Sequence, residues 1–366
     1  MKVLVIAEQL RREVPGGVGT YVRGLLVGLD RLGDASVDIS LWASRAPGHG
    51  SAAADPLASF GPLRTSVLPS TVLTRAWDLG LVRAGSGVDV VHATSLLTPG
   101  VGRAPRSPGS PATAPLTVFV HDLAWRALPD GVPARGARWH DAALGRARRR
   151  AARLLVPSTS TADALLHDGV PAGDIVVVTE GCDHLALYPR IDGGYLLSVS
   201  TLEPRKNLDR LIAAYGRARP HLRDPLPLKI VGPRGWTDRR GRTPVPSELP
   251  EGVELVGPVD DDTLARLLAG ARALLYVPML EGWGLPAVEA MRAGCPVVAS
   301  PMPSAGDAAL TVDAMDVGNI ERGIITVVND EARRDDLVSA GLERTAGFTW
   351  AAAARAHLDV WAACGR

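Results

Sequence analysis

Short runs of β-branched and aliphatic residues alternate with longer stretches of helical spacing along almost the whole chain. Residues 3–7 (VLVIA) predict a strand, and 20–32 predict a helix with apolar positions at three- and four-residue intervals. Further strands are predicted at 88–91, 116–120, 153–156 and 175–178. A second series follows at 195–200, 228–231, 253–256, 273–277 and 297–299. Ser158 and Thr159 open a helix over 158–166 with good N-cap chemistry. Strands that are apolar nearly throughout and are separated by helices lie in parallel sheets covered on both faces. The predicted fold class is therefore α/β.

Turn-rich segments at 179–183 and 189–194 separate the two strand series and predict a domain boundary between Val178 and Tyr195. Each half then has room for one doubly wound domain. Two stretches, 46–61 and 99–115, read as loops without regular structure, the second rich in Pro, Gly, Ser and Ala.

Composition narrows the class of protein. The 366 residues suggest about two domains. A hydrophobic fraction of 46% and a charged fraction of 22% exclude a disordered chain, a collagen and a disulfide-stapled miniprotein. Net charge is +1, which argues against a dedicated nucleic-acid binder. The three cysteines, Cys182, Cys295 and Cys364, follow no metal or redox spacing. No apolar run is long enough to span a membrane, and the five-residue run at 3–7 is too short for a signal-peptide core. Only Lys2, Lys206 and Lys229 are lysine, so arginine makes up the other 37 of the 40 basic residues.

The segment 280–291 (LEGWGLPAVEAM) is the most informative. It follows the strand at 273–277 with a glycine loop, then Pro286, which suits a first helical turn, and Gly294 with Pro296 at the helix end. In open α/β sheets, such a loop at the carboxyl end of a strand is where ligands bind. Glu281 is expected in the loop and Glu289 in the first turn of the helix. Both carboxylates suit vicinal hydroxyls of a sugar or ribose; the plainer reading is a solvated Glu281 and a Glu289 that complements the helix dipole.

A second loop, 200–207 (STLEPRKN), follows the strand at 195–200, with Asn207 as expected N-cap of the next helix. Arg205 and Lys206 are adjacent cations beside a helix N-terminus, a good place for a diphosphate. Lys206 is a retained lysine in an arginine-rich chain, which points to a specific contact. A solvated charged turn is the alternative. His121 closes the strand at 116–120 and reads equally as a structural histidine, as does His92. Gly16 and Gly17 lie between the first strand and its helix and read as a backbone loop closing over a ligand. They do not form a Gly-x-Gly-x-x-Gly fingerprint.

Two features have plainer explanations. Asp260, Asp261 and Asp262 precede a helical pattern and read as a cap, not a metal site. Segment 135–153 holds seven arginines (Arg135, Arg138, Arg146, Arg148, Arg149, Arg150 and Arg153) against Asp141, with Trp139 and Leu144 as its apolar component. It reads as a solvated helix face, or more sharply as a patch that docks on anionic lipid.

Together these motifs resemble the retaining GT-B glycosyltransferases, specifically glycosyltransferase family 4. Glu281 through Pro286 with Glu289 matches the family's Glu-x7-Glu motif, and Glu203 through Asn207 its phosphate-binding loop. Gly16-Gly17 matches its N-terminal glycine loop, His121-Asp122 its active-site histidine, and Phe348-Thr349-Trp350 its C-terminal segment. Ser200 stands where many members have glycine.

The resemblance implies two doubly wound Rossmann-like domains. Residues 1–185 would form the acceptor domain and 186–347 the nucleotide-sugar donor domain, with a helix at 348–366 crossing back to the first. It implies hexose transfer without cofactor or essential metal from a GDP-, UDP- or ADP-sugar, with GDP-mannose first and then UDP-glucose or UDP-N-acetylglucosamine. The acceptor would be a sugar, glycolipid, polysaccharide or polyprenyl-linked molecule. In that frame Arg205 and Lys206 hold the diphosphate, and Glu281 with Gly282, Trp283, Gly284 and Leu285 binds the sugar. Glu289 binds the ribose, His121 serves the reacting sugar face, and Gly16 and Gly17 assist donor binding. A cytoplasmic location is expected, with peripheral contact to the inner membrane face through 135–153 and no nucleic-acid partner. The competing readings are a catalytically inactive sugar-nucleotide-binding protein and an NAD-dependent two-domain oxidoreductase.

Overall fold

The computed structural model describes residues 1–46, 55–84, 86–101, 114–191, 193–238, 241 and 243–365. The chain forms two compact units. The first comprises Met1–Leu123, Arg138–Gly181 and Trp350–Arg366; the second comprises Ala124–Ala137 and Cys182–Thr349.

In chain order the strands up to Val177 are β1 (Lys2–Ile6), β2 (Asp38–Ser44), β3 (Leu63–Ser66), β4 (Arg83–Ala84), β5 (Val90–Ala93), β6 (Gly100–Val101), β7 (Leu116–Phe119), β8 (Ala151–Val156) and β9 (Ile175–Val177). Seven of them form a sheet in the order β3-β2-β1-β5-β7-β8-β9, parallel at every pairing, while β4 and β6 pair apart. The helices of this stretch are α1 (Gly16–Leu32), α2 (Ser70–Asp78), α3 (Ala124–Ala127), α4 (Ala134–Arg150) and α5 (Thr159–His167). Ser158 caps α5 as expected, accepting from the Thr161 amide at 3.2 Å. Of the two stretches read as loops, 47–54 and 102–113 lie outside the described residues. Asp55 caps a short 3-10 helix, Pro56–Phe60, and its carboxylate pairs with Arg11.

The second unit repeats the plan. Strands β10 (Leu196–Val199), β11 (Leu228–Val231), β12 (Val253–Gly257), β13 (Ala273–Tyr276), β14 (Val297–Ala299) and β15 (Leu310–Thr311) are ordered β12-β11-β10-β13-β14-β15, again all parallel. Its helices are α6 (Leu208–Ala218), α7 (Asp261–Gly270), α8 (Leu285–Arg292), α9 (Val317–Asn329) and α10 (Glu331–Thr345). Leu208, Leu211, Ile212 and Tyr215 of α6 bury against Ile320, Ile324 and Val327 of α9 and the inward residues of β10, β11 and β13. Strand order reverses beside the first strand of each unit, so the ligand-accepting rim of the second unit is at the carboxyl ends of β10 and β13.

The last helix, α11 (Trp350–Cys364), completes the core of the first unit. It lies so close to α1 that side chains cannot fit between them. A Cβ on Gly24 would sit 2.1 Å from the Trp350 ring, and one on Gly28 would sit 2.1 Å from the Trp350 carbonyl oxygen. Beneath this contact Tyr21, His92 and His357 form a buried chain. The Tyr21 hydroxyl is 2.8 Å from His357 Nε2 and 3.1 Å from His92 Nε2. His357 Nδ1 lies 2.8 Å from the Ala353 carbonyl, which can only accept, so Nδ1 carries the proton and Nε2 accepts from Tyr21. His92 Nε2 then donates to Tyr21, and its Nδ1 accepts from Thr117 Oγ1 at 2.9 Å. Each of these four contacts then has one donor and one acceptor with both rings neutral. His92 is thus a structural histidine.

No helix among the described residues is long and apolar enough to cross a membrane. Among the described residues no group of three or more His, Cys, Asp or Glu side chains is placed to hold a metal ion.

Candidate active site

The 200–207 loop leaves β10 along β11: the Ser200 amide donates to Val231 O at 2.9 Å and the Leu202 amide to Pro233 O at 2.9 Å. Pro204–Lys206 makes one 3-10 turn, and Asn207 follows in the left-handed region at φ 62°, the sole non-glycine residue with positive φ among the described residues. Asn207 occupies the predicted N-cap position of α6, yet its side chain makes no capping bond. Its Nδ2 instead donates to Val277 O at 3.0 Å and Ala314 O at 2.7 Å, and its Oδ1 accepts from Arg210 at 2.8 Å. The amide thus ties the loop to the end of β13.

The loop after β13 is joined to the first by the Met279 amide, which donates to Arg205 O at 2.8 Å. Glu281 Oε1 lies 2.5 Å from Lys206 Nζ and 3.2 Å from Arg205 Nη1. Lys206 also donates to the Tyr276 hydroxyl at 2.9 Å. Arg205 Nε pairs with Glu203 Oε1 at 2.5 Å. The predicted residues Arg205, Lys206 and Glu281 are therefore brought together, and the structure adds Glu203 and Tyr276 to them.

Their titration is divided. Burial pushes Glu203 above the usual carboxylate range, against Arg205 and Lys206. Burial also acts to raise Glu281, but there the two cations outweigh it and hold the carboxyl below its usual range. Tyr276 is raised by burial and by Glu281.

The glycine loop turns into α8 at Gly284, whose φ is 103°. A Cβ there would lie 2.6 Å from Met302 Sδ and 2.9 Å from Ser304 Oγ, and Ser304 Oγ donates to Gly284 O at 3.0 Å. Pro286 falls in the first turn, as predicted. Glu289 does not: the helix begins at Leu285, so Glu289 lies one full turn in, and it is buried. Its Oε1 is 3.2 Å from His184 Nε2. Burial alone would lower the His184 pKa, but the bond to Glu289 overrides it and raises it. No motif marked His184, which comes from a turn-rich segment distant in sequence from α8.

In the first unit, Gly16 and Gly17 are not a loop. Pro15 takes the N-cap position, and the two glycines form the first turn of α1, because a short 3-10 helix, Glu8–Arg11, and the residues after it occupy the link from β1. Nothing lies within 4 Å of the Cβ position at either glycine. His121 follows β7 directly. Its Nε2 is 3.0 Å from Thr94 O, and its Nδ1 is 3.5 Å from Glu180 Oε1. The carbonyl fixes the proton on Nε2 and turns Nδ1 toward the buried carboxylate. Sequence reasoning missed Glu180.

Asp260 caps α7, accepting from the Thr263 amide at 2.8 Å, as its sequence context predicts. The arginine-rich segment is mostly α4. Arg146 and Trp139 Nε1 both bind Asp78, and Arg148 binds Asp168 at 2.9 Å.

The two doubly wound parallel sheets and the cation–carboxylate pair of loops define the GT-B glycosyltransferase class. Residues 15–184 match the profile of Glycosyltransferase Family 4, and residues 190–344 match that of Glycosyl transferases group 1. The chain belongs to glycosyltransferase family 4. It is 32% identical over 254 residues to O-antigen chain mannosyltransferase B of Escherichia coli. The match covers 64% of this chain and 66% of that relative, slightly under two thirds of its length. Among solved structures it is similar to a sucrose-phosphate synthase from Thermosynechococcus elongatus, with a TM-score of 0.71 and 19% identity over 99% of this chain and 98% of that one. It is also similar to Anabaena HepE in complex with UDP and glucose, with a TM-score of 0.68 and 16% identity over 99% and 100% of the two chains. Membership of this family sets aside the oxidoreductase reading.

Proposed function

We propose that this chain transfers a hexose, with retention, from a nucleotide-diphosphate sugar, with GDP-mannose as the first candidate donor. The observation that carries the reading is the meeting of Arg205, Lys206 and Glu281 at the carboxyl ends of β10 and β13. A leaving diphosphate needs preorganised cations where no metal supplies the charge. Arg205 and Lys206 hold the diphosphate, and Glu281 with the backbone of Gly282, Trp283, Gly284 and Leu285 takes the sugar hydroxyls. Glu289, oriented by His184, takes the ribose. His121, and Gly16 with Gly17, serve the reacting sugar and the donor from the first unit, which is the acceptor domain in this reading. The relative named as an O-antigen chain mannosyltransferase supports mannose as the sugar and a glycan chain as the acceptor; a lipid-linked or small-molecule acceptor belongs to the same reading.

Nucleotide release from a panel of GDP-, UDP- and ADP-sugars tests the activity, with thermal shift on the matching nucleotides as the binding readout. The expected result is release from GDP-mannose and stabilisation by GDP of about 2.7 kcal/mol at about 100 times its dissociation constant. Binding without turnover on any acceptor would favour the inactive binder. No stabilisation by any of the three nucleotides would overturn the donor site.

The same reading includes peripheral contact with an anionic membrane. Asp78 and Asp168 reduce the +6 of segment 135–153 by two, to +4, and Arg135, Arg138, Arg149 and Arg150 remain exposed. At about 1 kcal/mol for each basic residue near the surface, that is enough for measurable binding. The protein is expected to sediment with anionic liposomes at low salt and to be released at about 1 M salt, where the Debye length is about 3 Å. Protein left in the supernatant at low salt would remove the membrane contact.

A further inference from the structure

The two cations at the ends of β10 and β13 do not wait unpaired for an anion. Formal charges on Glu203, Arg205, Lys206 and Glu281 cancel, and all four side chains are largely buried, with exposures of 2%, 18%, 10% and 10%. A dianionic diphosphate entering this cluster would leave it with a net negative charge in surroundings poor in water, which is costly.

The two carboxylates are not equivalent. Glu281 shares one oxygen between Lys206 and Arg205 and is also hydrogen-bonded to Tyr276. Glu203 faces Arg205 Nε at 2.5 Å and is the most buried of the four. The groups facing it are Arg205 and Lys206 from its own loop, and Glu281 and Tyr276 from β13 and the loop after it. From the loop after β11, the Gly235 backbone closes against it, so close that a Cβ there would lie 3.2 Å from the Glu203 Cβ; the adjoining Arg234 is exposed.

We propose that Glu203 takes up one proton from solvent when the donor diphosphate binds Arg205 and Lys206, so that this positioning residue sets the pH dependence of donor binding. The inference rests on the reading of those two cations as the diphosphate cradle. The proton adds to a carboxylate oxygen, no other bond is made or broken, and it returns to solvent when the diphosphate leaves. The carbonyl oxygen of the neutral acid keeps its partial negative charge beside Arg205 Nε, so the guanidinium stays in position while one negative charge is removed. The ordering of the two acids agrees: burial already raises Glu203, whereas Glu281 is held low by its cations.

The test is calorimetric titration of the full chain with GDP-mannose, UDP-glucose and ADP-glucose. It runs from about pH 5 to about pH 8 in buffer pairs of contrasting ionisation enthalpy. The diphosphate diesters do not titrate in this range, so net proton uptake reports the protein. Uptake approaching one proton per donor is expected, with Kd rising toward about tenfold per pH unit over part of the range. Glu203→Gln should abolish the uptake and flatten the pH profile, and Glu203→Asp should restore both. Proton-independent binding by the native chain, or uptake that persists in Glu203→Gln, overturns the inference. If Arg205→Ala and Lys206→Ala leave donor affinity unchanged, or if none of the three donors binds, the cradle reading fails and this inference fails with it. Binding that is sensitive to those two variants yet takes up no proton overturns this inference alone.

Discussion

Arg205→Ala and Lys206→Ala are each expected to lower kcat/KM by at least about tenfold. Each side chain is largely buried at the strand ends and contacts Glu281, so each is held in place before any ligand arrives. A hydrogen bond to a charged group is worth about 1.5–3 kcal/mol, and about 1.36 kcal/mol corresponds to tenfold in rate. The two losses should differ in kind. Arg205 is held by both Glu203 and Glu281, so its removal takes away a preplaced cation of the cradle and should raise KM. Lys206 lies between Glu281 and Tyr276, where charge on the departing diphosphate would be met, and its loss should fall on kcat. Steady-state kinetics on the donor found in the nucleotide-sugar panel provides the measurement. Near-native kcat/KM in both variants would remove the phosphate assignment.

The second large effect is on stability. Unfolding resistance should fall steeply as pH drops from about 6.5 toward 4, because of the buried histidine pair between α11 and the first sheet. Burial depresses the His357 pKa to about 4, with its bond to Ala353 opposing. Burial, then the neighbouring His357 and His121, depress His92 in the same direction. In the unfolded chain a histidine titrates near 6.5. Below that pH the unfolded state binds protons that the native rings refuse. Stability is therefore full above about 6.5 and is lost until the native pKa is reached. For His357 alone this amounts to about 3 kcal/mol. His184 in the second unit acts in the opposite sense, since its native pKa is raised by Glu289 and acid favours its folded form. Urea midpoints between about pH 6.5 and 5, above the carboxylate range, should show the loss in the native chain and a smaller slope in His357→Gln. A flat midpoint across that interval would refute the neutral-pair arrangement.

Much of the architecture is legible in the sequence because buried parallel strands are unbroken apolar runs. The segments at 3–7, 273–277 and 297–299 stand out for that reason. Strands β2 and β3 do not: Asp38–Ser44 carries Ser40 and Ser44 among its apolar residues, and Leu63–Ser66 is a half-exposed edge. Helix α10, Glu331–Thr345, carries seven charged residues among its fifteen and packs few residues inward, so no apolar stripe marks it. At the candidate site, Arg205, Lys206 and Glu281 are readable because glycine and proline punctuate the strand ends around them. Their partners are less so. Glu180 beside His121 and His184 beside Glu289 arrive from distant segments, and no local spacing encodes a contact that only the folded chain makes. Asn207 stands at the start of α6, as its sequence context predicts, but its left-handed backbone turns the amide to a different task.

The contact between Gly24, Gly28 and Trp350 has a consequence for synthesis. The hydrogen bond from Tyr21 to His357 joins positions 336 residues apart. A ribosome adding about 5–20 residues per second takes about twenty seconds to a minute to cover that distance. Throughout that interval α1 has no partner for its glycine face, and the sheet beneath it is open where Trp350 and Trp361 will be buried. The second unit, made of later but mostly contiguous sequence, has all its strands in hand before the first unit can close. The unit that begins at Met1 is therefore the last to finish folding. It stays exposed to chaperones and proteases for as long as translation continues, and premature termination before Trp350 yields a chain whose first half cannot be completed.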